Sequence, residues 1–132
     1  MVTQGINHTG LSVRNLDDTV RFFCDILGWV ETGRDDTYPR SAVSDGTSRL
    51  TLWQVSDDRD PVDFDRHHNI GLHHMAIEVP DEATLTALTA KVAAHPGVKI
   101  EFMPEPMGDG PRQHMMFSEP GGIRLELVWP ST

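Results

Sequence analysis

Polar and apolar residues alternate along two short segments of the chain, one near the start and one just past the middle. The segments are residues 6–13 and 72–79, and each has a histidine third, an apolar residue sixth and a valine eighth. A period of two with β-branched residues is typical of a strand with one buried face. Both segments are therefore predicted strands, and their shared pattern indicates an internal repeat.

A helix is predicted after each of these strands. In the first half Asn15 or Asp17 can cap a helix that Gly28 ends. In the second half Asp81 can cap a helix that ends at the His-Pro-Gly of residues 95–97. Each helix carries an apolar stripe, namely Val20, Phe23 and Leu27 in the first and Leu85, Leu88 and Val92 in the second.

Three further strands are predicted in each half. The final ones are the most alike, with Arg-Leu-Thr-Leu at residues 49–52 and Arg-Leu-Glu-Leu at residues 124–127. Gly46 and Gly122 precede them, as hairpin turns require. The other strands are residues 29–32 and 41–43 in the first half and residues 98–102 and 114–117 in the second.

This order predicts an α+β fold of two tandem βαβββ units. The units are residues 5–55 and 71–130, and the polar, Asp-rich stretch of residues 56–70 is the linker. We expect one domain over residues 1–132, in which a mixed sheet curls into a cup with the helices on the outside.

Strand alternation sorts the side chains between two faces of the sheet. The residues expected to face the helices are Leu11, Val13, Met75, Ile77, Val79, Leu125 and Leu127. By the same parity His8 and Thr51 in the first half, and His74 and Glu126 in the second, face the other way. His73 falls with the apolar set, so His74 is the predicted ligand of the two adjacent histidines.

Two imidazoles and one carboxylate on one face form the ligand set called a facial triad. It binds divalent first-row metals and leaves open positions for substrate. A single histidine at a strand start, or a single glutamate between leucines, is more often an ordinary polar residue of a strand. The joint placement of His8, His74 and Glu126 at repeat-equivalent positions favours a metal site.

Four residues on this face are predicted to line the substrate pocket, and they are Thr51, Trp53, His114 and Met116. His114 is either an acid or base near the metal or a pocket wall. Trp53 either stacks on a substrate or packs in the core or at an interface. A rival cluster of His67, His68, His73, Asp63 and Asp65 lies in and beside the linker, and a solvated loop is the preferred interpretation there. The sequence identifies no catalytic residue.

Three segments resemble the signature strands of the vicinal-oxygen-chelate superfamily. They are residues 8–13, 74–79 and 117–127, and the third is the most specific, with a Phe, an acidic-Pro-x-Gly-like turn and a strand that carries Glu126. The superfamily includes glyoxalase I, methylmalonyl-CoA epimerase, fosfomycin-resistance transferases, extradiol dioxygenases and bleomycin-binding proteins. The resemblance covers the chain from Gly5 to Trp129.

The resemblance implies that His8, His74 and Glu126 hold one divalent metal ion (Fe, Mn, Co, Ni or Zn). Glyoxalase I-like members carry Glu or Gln at the fourth position, where this chain has Thr51. The resemblance therefore implies a three-ligand site like those of extradiol dioxygenases and fosfomycin transferases. It also implies a homodimer, in which each site either lies within one chain or takes His8 from one chain and His74 and Glu126 from the other.

The implied function is a metal-dependent enzyme whose small substrate chelates the ion through oxygen. The reaction would be that of an isomerase, lyase, transferase or ring-cleaving dioxygenase. The alternative is a metal-free protein of the bleomycin-resistance type that binds a drug or another small molecule.

Composition narrows the partners to small molecules. The formal net charge is −9 and Lys and Arg do not cluster, which disfavours nucleic acid and anionic membranes. No apolar run approaches the roughly 20 residues that cross a bilayer. Cys24 is the only cysteine and is expected to be a buried, inert thiol. With no signal peptide at the N-terminus, these features predict a cytoplasmic protein.

Overall fold

A computed structural model describes residues 1–131 and divides the chain into two compact units, Met1–Pro61 and Val62–Thr132. The first unit contains strand β1 (Thr9–Val13), helix α1 (Leu16–Arg21) and strands β2 (Val30–Asp35), β3 (Arg40–Ser44) and β4 (Arg49–Gln54). Helix α1 runs on into a π-helical segment, Phe22–Ile26. The second unit contains β5 (Met75–Glu78), α2 (Glu82–Ala94), β6 (Lys99–Pro106), β7 (Gln113–Ser118) and β8 (Arg124–Trp129). Both units thus have the predicted order of one strand, one helix and three strands.

Each unit has its own four-stranded mixed sheet. The strand orders are β1-β4-β3-β2 and β5-β8-β7-β6. In both sheets the first strand is parallel to the last, and the other pairs are antiparallel. The prediction of an α+β fold from paired βαβββ units is confirmed.

The two sheets also share their register. Gly10 lies opposite Thr51 in the first sheet, and Ala76 lies opposite Glu126 in the second. His8 lies two residues before Gly10, and His74 lies two residues before Ala76, so the two histidines occupy equivalent positions. Both second strands carry an irregularity at the matching place, between Glu31 and Gly33 in β2 and between Ile100 and Phe102 in β6.

The helices begin and end where their capping residues predict. The side chain of Asn15, not Asp17, accepts a hydrogen bond from the backbone N–H of Asp18 at 3.0 Å and caps α1. Asp81 accepts the corresponding bond from Thr84 at 2.7 Å and caps α2. Gly28, with a φ of 74°, lies just past the π-helical segment and adopts the left-handed conformation that favours glycine.

Each helix packs on its own sheet, and the apolar residues between them form the cores. The largest fully buried apolar side chains are Phe22, Phe23, Leu16, Leu52, Val13 and Val43 in the first unit and Phe117, Leu85, Met115, Leu125 and Leu127 in the second. The predicted helix-facing side of the sheets is therefore correct, although Met75 and Ile77 are only partly buried.

The first strand of each unit is shorter than the alternation pattern predicts. They begin at Thr9 and Met75 rather than at residues 6 and 72. Ladder pairing starts at Thr9 opposite Leu50 and at Met75 opposite Leu125, one residue after β4 and β8 themselves begin. His8 and His74 consequently lie just before their strands.

No helix within residues 1–131 is long and apolar enough to cross a membrane.

Candidate metal centre

Glu126 is the buried carboxylate at the centre of the second sheet. Its exposure is 4%, and Leu125 and Leu127 on either side are fully buried. In the register Glu126 lies opposite Ala76 on one neighbouring strand and Met116 on the other. Burial removes water from a carboxylate, so its charge has to be compensated by protein groups or by a cation.

Two imidazoles face the two oxygens of this carboxylate. His74 Nε2 lies 3.1 Å from Glu126 Oε2, and His114 Nδ1 lies 2.9 Å from Glu126 Oε1. His74 and His114 keep 34% and 18% of their side chains exposed, so the cluster opens towards solvent. The ring of Phe102 lies against the His114 imidazole with a centroid distance of 4.9 Å.

The separation between His74 and Glu126 fits a pair of metal ligands. Two donor atoms bound at about 2.1 Å and at right angles to each other lie about 3.0 Å apart. Imidazole nitrogen and carboxylate oxygen are also the donor types that first-row metals accept. Within residues 1–131, no three or more His, Cys, Asp or Glu side chains form a group arranged to hold an ion. The described side chains thus supply part of a coordination shell.

The equivalent place in the first unit has different chemistry. Thr51 Oγ1 accepts a hydrogen bond from Trp53 Nε1 at 3.0 Å. A Cβ atom on Gly10 would lie 3.3 Å from Thr51 Oγ1 and 3.7 Å from Trp53 Nε1, so glycine gives these side chains room beside β1. The edge of the Tyr38 ring meets Trp53 at 5.1 Å, and the Arg40 guanidinium lies 5.6 Å from the Trp53 ring centre. We call these four side chains, Tyr38, Arg40, Thr51 and Trp53, the aromatic cluster.

The structure brings the predicted site residues together in two groups. Thr51 and Trp53 form one group in the first unit, and His74, His114, Met116 and Glu126 form the other in the second. His8 belongs to the first unit, where it is exposed and its Nδ1 lies 2.7 Å from Asn7 Oδ1. The contact between His114 and Glu126 was not predicted, although parity across the β7–β8 hairpin puts both on one face.

Sequence reasoning missed a set of polar contacts that begins at His74 Nδ1, the ring nitrogen that does not face Glu126. His73 Nδ1 lies 2.7 Å from His74 Nδ1 and 3.3 Å from Arg124 Nη1. Arg124 is held by Glu101 through Nε at 3.0 Å and Nη2 at 2.5 Å. Desolvation and the positive charge of Arg124 lower the pKa of His73, and the hydrogen bonds from Arg124 lower the pKa of Glu101. No sequence motif marks this pairing, because Glu101 is 23 residues away from Arg124.

The rival histidine cluster is a hydrogen-bonded turn. Asp65 accepts from the backbone N–H of His67 at 2.8 Å, and its other oxygen lies 2.7 Å from His68 Nδ1. These three residues are exposed. They are not part of a group of three or more His, Cys, Asp or Glu side chains that could hold a metal ion, since no such group is found within residues 1–131. The loop interpretation fits these contacts.

Two concave surfaces of the first unit lie beside the end of β4. Two open clefts of ≈ 320 Å³ and ≈ 270 Å³ share Gln54, Val55, Ser56 and Asp57 as lining residues. They lie where the chain leaves β4, and none of the predicted metal ligands lines them.

Cys24 is partly exposed rather than buried, and burial of its thiol still raises its pKa, which disfavours the reactive thiolate.

Two βαβββ units in matching register, each with its helix on one face of the sheet, define the vicinal-oxygen-chelate fold. The chain belongs to the glyoxalase/bleomycin resistance protein/dioxygenase superfamily, whose sequence profile matches residues 5–127. The family predicted from the signature strands is confirmed.

Relatives show how broad this superfamily is. The chain is 27% identical to a 2-epi-5-epi-valiolone epimerase from Actinomyces sp., over 93% of this chain and 78% of that enzyme. A glyoxylase/bleomycin resistance protein/dioxygenase domain from Frankia sp. EAN1pec has a similar structure, with a TM-score of 0.79, 25% identity and coverage of 96% and 92% of the two chains. The fosfomycin resistance protein FosX from Listeria monocytogenes has the same fold, with a TM-score of 0.72, 17% identity and coverage of 96% and 90%. That FosX structure is a complex with Mn(II) and 1S,2S-dihydroxypropylphosphonic acid.

Proposed function

We propose that this protein is a divalent-metal-dependent enzyme with His8, His74 and Glu126 as its protein ligands, acting on a small substrate that chelates the ion through oxygen. The observation that carries the proposal is the buried Glu126 carboxylate with His74 Nε2 3.1 Å from one oxygen. A carboxylate this deeply buried is costly unless protein groups or a cation compensate its charge, and a bound metal ion would do so. The Mn(II) complex of FosX adds support from the same fold.

The first reaction to test is epimerisation beside a carbonyl group, because the Actinomyces relative is an epimerase of 2-epi-5-epi-valiolone. A divalent ion, when bound, would polarise a substrate carbonyl or hold two neighbouring oxygens. The Thr51 hydroxyl already accepts from Trp53, so its own hydrogen is available to donate to substrate or water. The Trp53 ring would stack on the substrate. Lyase, transferase and ring-cleaving dioxygenase activities remain the other reactions of the proposal.

A metal-free binding protein is the second candidate. The aromatic cluster favours it, because a ring system beside an arginine binds small molecules without any metal. Under this candidate Glu126 and its imidazoles would be a hydrogen-bonded part of the pocket wall.

Metal titration separates the two candidates. Protein stripped with a chelator is titrated with Mn(II), Co(II) and Zn(II) by calorimetry, alongside Glu126→Gln and the matched control Glu82→Gln on α2. We expect about one ion per chain in the wild type and the control, and binding at least about 100-fold weaker in Glu126→Gln. Circular dichroism checks that the variant is folded. If the wild type binds none of the ions stoichiometrically, the enzyme proposal is wrong and the binding protein is favoured.

The proposal includes a homodimer with shared sites, and mixing variants tests it. His8→Ala and His74→Ala should each abolish metal binding. If each site takes His8 from one chain and His74 from the other, a heterodimer of the two variants regains one intact site. If each chain builds its own site, mixing restores nothing. A monomer mass by light scattering at micromolar concentration would contradict the dimer itself.

A further inference from the structure

Arg40 carries an exposed guanidinium that makes no side-chain hydrogen bond within residues 1–131. The side chain is 40% exposed, and its ion-pair partner there is Asp35, whose Oδ2 lies 3.8 Å away, beyond hydrogen-bond distance. Arg34 on the neighbouring strand β2 is the contrast, because its Nε, Nη1 and Nη2 each contact a different carboxylate. Water has to satisfy the N–H groups of Arg40, so an anion can replace that water.

The Trp53 indole forms a flat apolar surface beside this guanidinium. Trp53 lies opposite Arg40 in the register of β3 and β4, and the guanidinium carbon lies 5.6 Å from the ring centre. The indole N–H donates to Thr51 Oγ1 at 3.0 Å, and the plane of the Tyr38 ring is nearly perpendicular to the indole, at 84°. These contacts hold in place a ring that is only partly buried. A ligand that stacks on such a preorganised ring costs the protein little entropy.

The guanidinium and the indole together define the chemistry of a ligand. A guanidinium fork matches the two oxygens of a carboxylate, and an indole face favours another flat, apolar group. Because the guanidinium lies 5.6 Å from the ring centre, the acid group has to be close to the flat part of the ligand. The net charge of −9 repels anions from the chain as a whole, so a local cation is needed to hold one.

We propose that Arg40 and Trp53 recognise a carboxylate attached to a flat, unsaturated or aromatic group of the small molecule that this protein binds. Arg40 holds the carboxylate, and Trp53 stacks on the group beside it. As part of the substrate's binding site this inference rests on the proposed function, whereas the recognition itself needs no metal ion. It narrows the oxygen-chelating substrates of the proposed enzyme to organic acids with an unsaturated group next to the acid.

Asp35 competes with such a ligand for Arg40. One oxygen of its carboxylate accepts from the backbone N–H of Thr37 at 2.9 Å, and the other lies 3.8 Å from Arg40 Nη2. The hydrogen bonds from Thr37 lower the pKa of Asp35, so its carboxylate is charged at neutral pH. Asp35→Asn removes the competing charge, and the amide oxygen can still accept from Thr37. We therefore expect Asp35→Asn to bind the anionic ligand about two- to fivefold more tightly.

Benzoate is the probe for the test, because it is a carboxylate bonded directly to an aromatic ring. It is titrated into metal-free protein while the indole N–H signals are followed by ¹H–¹⁵N NMR, and Trp53→Phe identifies the Trp53 signal. We expect that signal to shift with a dissociation constant on the order of 1 mM, as suits a ligand of this size. Arg40→Gln should weaken binding at least about tenfold, because charge-assisted hydrogen bonds are lost. Arg49→Gln removes the same charge from an exposed position on β4 and is the matched control, which should bind like the wild type.

Two further ligands separate the effect of charge from the effect of shape. Benzamide has nearly the shape of benzoate without its charge, so it should bind the wild type more weakly and bind Arg40→Gln equally well. Cyclohexanecarboxylate keeps the charge without a flat ring. It should therefore bind the wild type more weakly than benzoate does, and Trp53→Leu should remove this preference for benzoate.

Equal affinity for benzoate in the wild type and in Arg40→Gln would overturn the inference, with circular dichroism as the check that both are folded. A Trp53 signal that does not move at about ten times the expected dissociation constant would also overturn it. Metal titration distinguishes this failure from that of the proposed function. Stoichiometric metal binding without any effect of Arg40→Gln on benzoate defeats only the present inference. Benzoate binding that depends on Arg40, in a protein that binds no metal, supports the recognition and defeats the proposed enzyme.

Discussion

The centres of the two sheets have the same backbone and opposite chemistry. In the first unit Thr51 lies opposite Gly10, and its hydroxyl oxygen accepts a hydrogen bond from the Trp53 indole. In the second unit Glu126 lies opposite Ala76, and its carboxylate is buried between two imidazoles. The register of the strands is equivalent, yet one centre is built from a hydroxyl and an aromatic ring and the other from a carboxylate and two imidazoles.

The difference shows which face of a repeated unit is free to diverge. Leu52 and Leu127, which follow the two central residues, are both fully buried, since the helix-facing side has to fill a core. On the other face Arg40 of β3 and His114 of β7 are equivalent, but Arg40 lies over Trp53 while His114 contacts Glu126. The face that does not pack on the helices therefore carries two different chemistries in the two units.

The largest expected effect tests the similarity of the two cores. Leu52→Ala and Leu127→Ala each remove a fully buried side chain at equivalent positions. Each should lower the free energy of unfolding by about 2–5 kcal/mol, because transfer and cavity terms add. Urea titration followed by circular dichroism measures both. A loss in one variant and none in the other would show that the units do not depend equally on this layer.

A smaller effect tests the difference between the two open faces. His114→Phe keeps a ring beside Phe102 but removes the nitrogen that lies 2.9 Å from Glu126 Oε1. We expect metal affinity about 10- to 100-fold weaker, because the partners of a ligating carboxylate orient it. Arg40→Gln, at the equivalent place in the first unit, is the matched control and should bind metal like the wild type. Equal losses in the two variants would contradict the division of roles between the sheets.

Much of the fold could be predicted because its signals are local and occur twice. The caps at Asn15 and Asp81, the stop at Gly28 and the alternation of the strands each depend on a few neighbouring residues. The strand starts could not be placed, because β1 begins where its ladder with β4 begins, at Thr9 opposite Leu50, and that pairing joins residues distant in sequence. The local sequence pattern carries no information about where the pairing of two strands begins.

Strand alternation was enough to predict which side chains of the site share one face of the sheet. Alternation put His74, His114 and Glu126 on one face, and the structure brings them together. It could not reveal the ion pair between Glu101 and Arg124, which depends on long side chains meeting across strands distant in sequence. Nor does it determine how His8 takes part, which stays a prediction for the mixing experiment.

The smallest expected effect comes from making the first unit more like the second. Thr51→Glu places a carboxylate at the position equivalent to Glu126, and we expect metal binding to tighten by about three- to tenfold. The gain should be modest, because Trp53 Nε1, now bonded to Thr51 Oγ1 at 3.0 Å, can hydrogen-bond the introduced carboxylate and compete with the ion.

Thr51→Gln is the matched control for this variant. It has the same length without the charge, so a rise in affinity confined to Thr51→Glu identifies a metal–carboxylate interaction rather than a change of packing. With three protein ligands an octahedral ion keeps about three positions for water or substrate, and a fourth ligand removes one. Turnover should therefore fall in Thr51→Glu if the reaction uses all three positions, even as the metal binds more tightly. Competition with a chromophoric chelator measures the affinity of both forms. Equal affinity in wild type and Thr51→Glu would mean that residue 51 does not face the metal, and that the functional correspondence between Thr51 and Glu126 ends at the backbone.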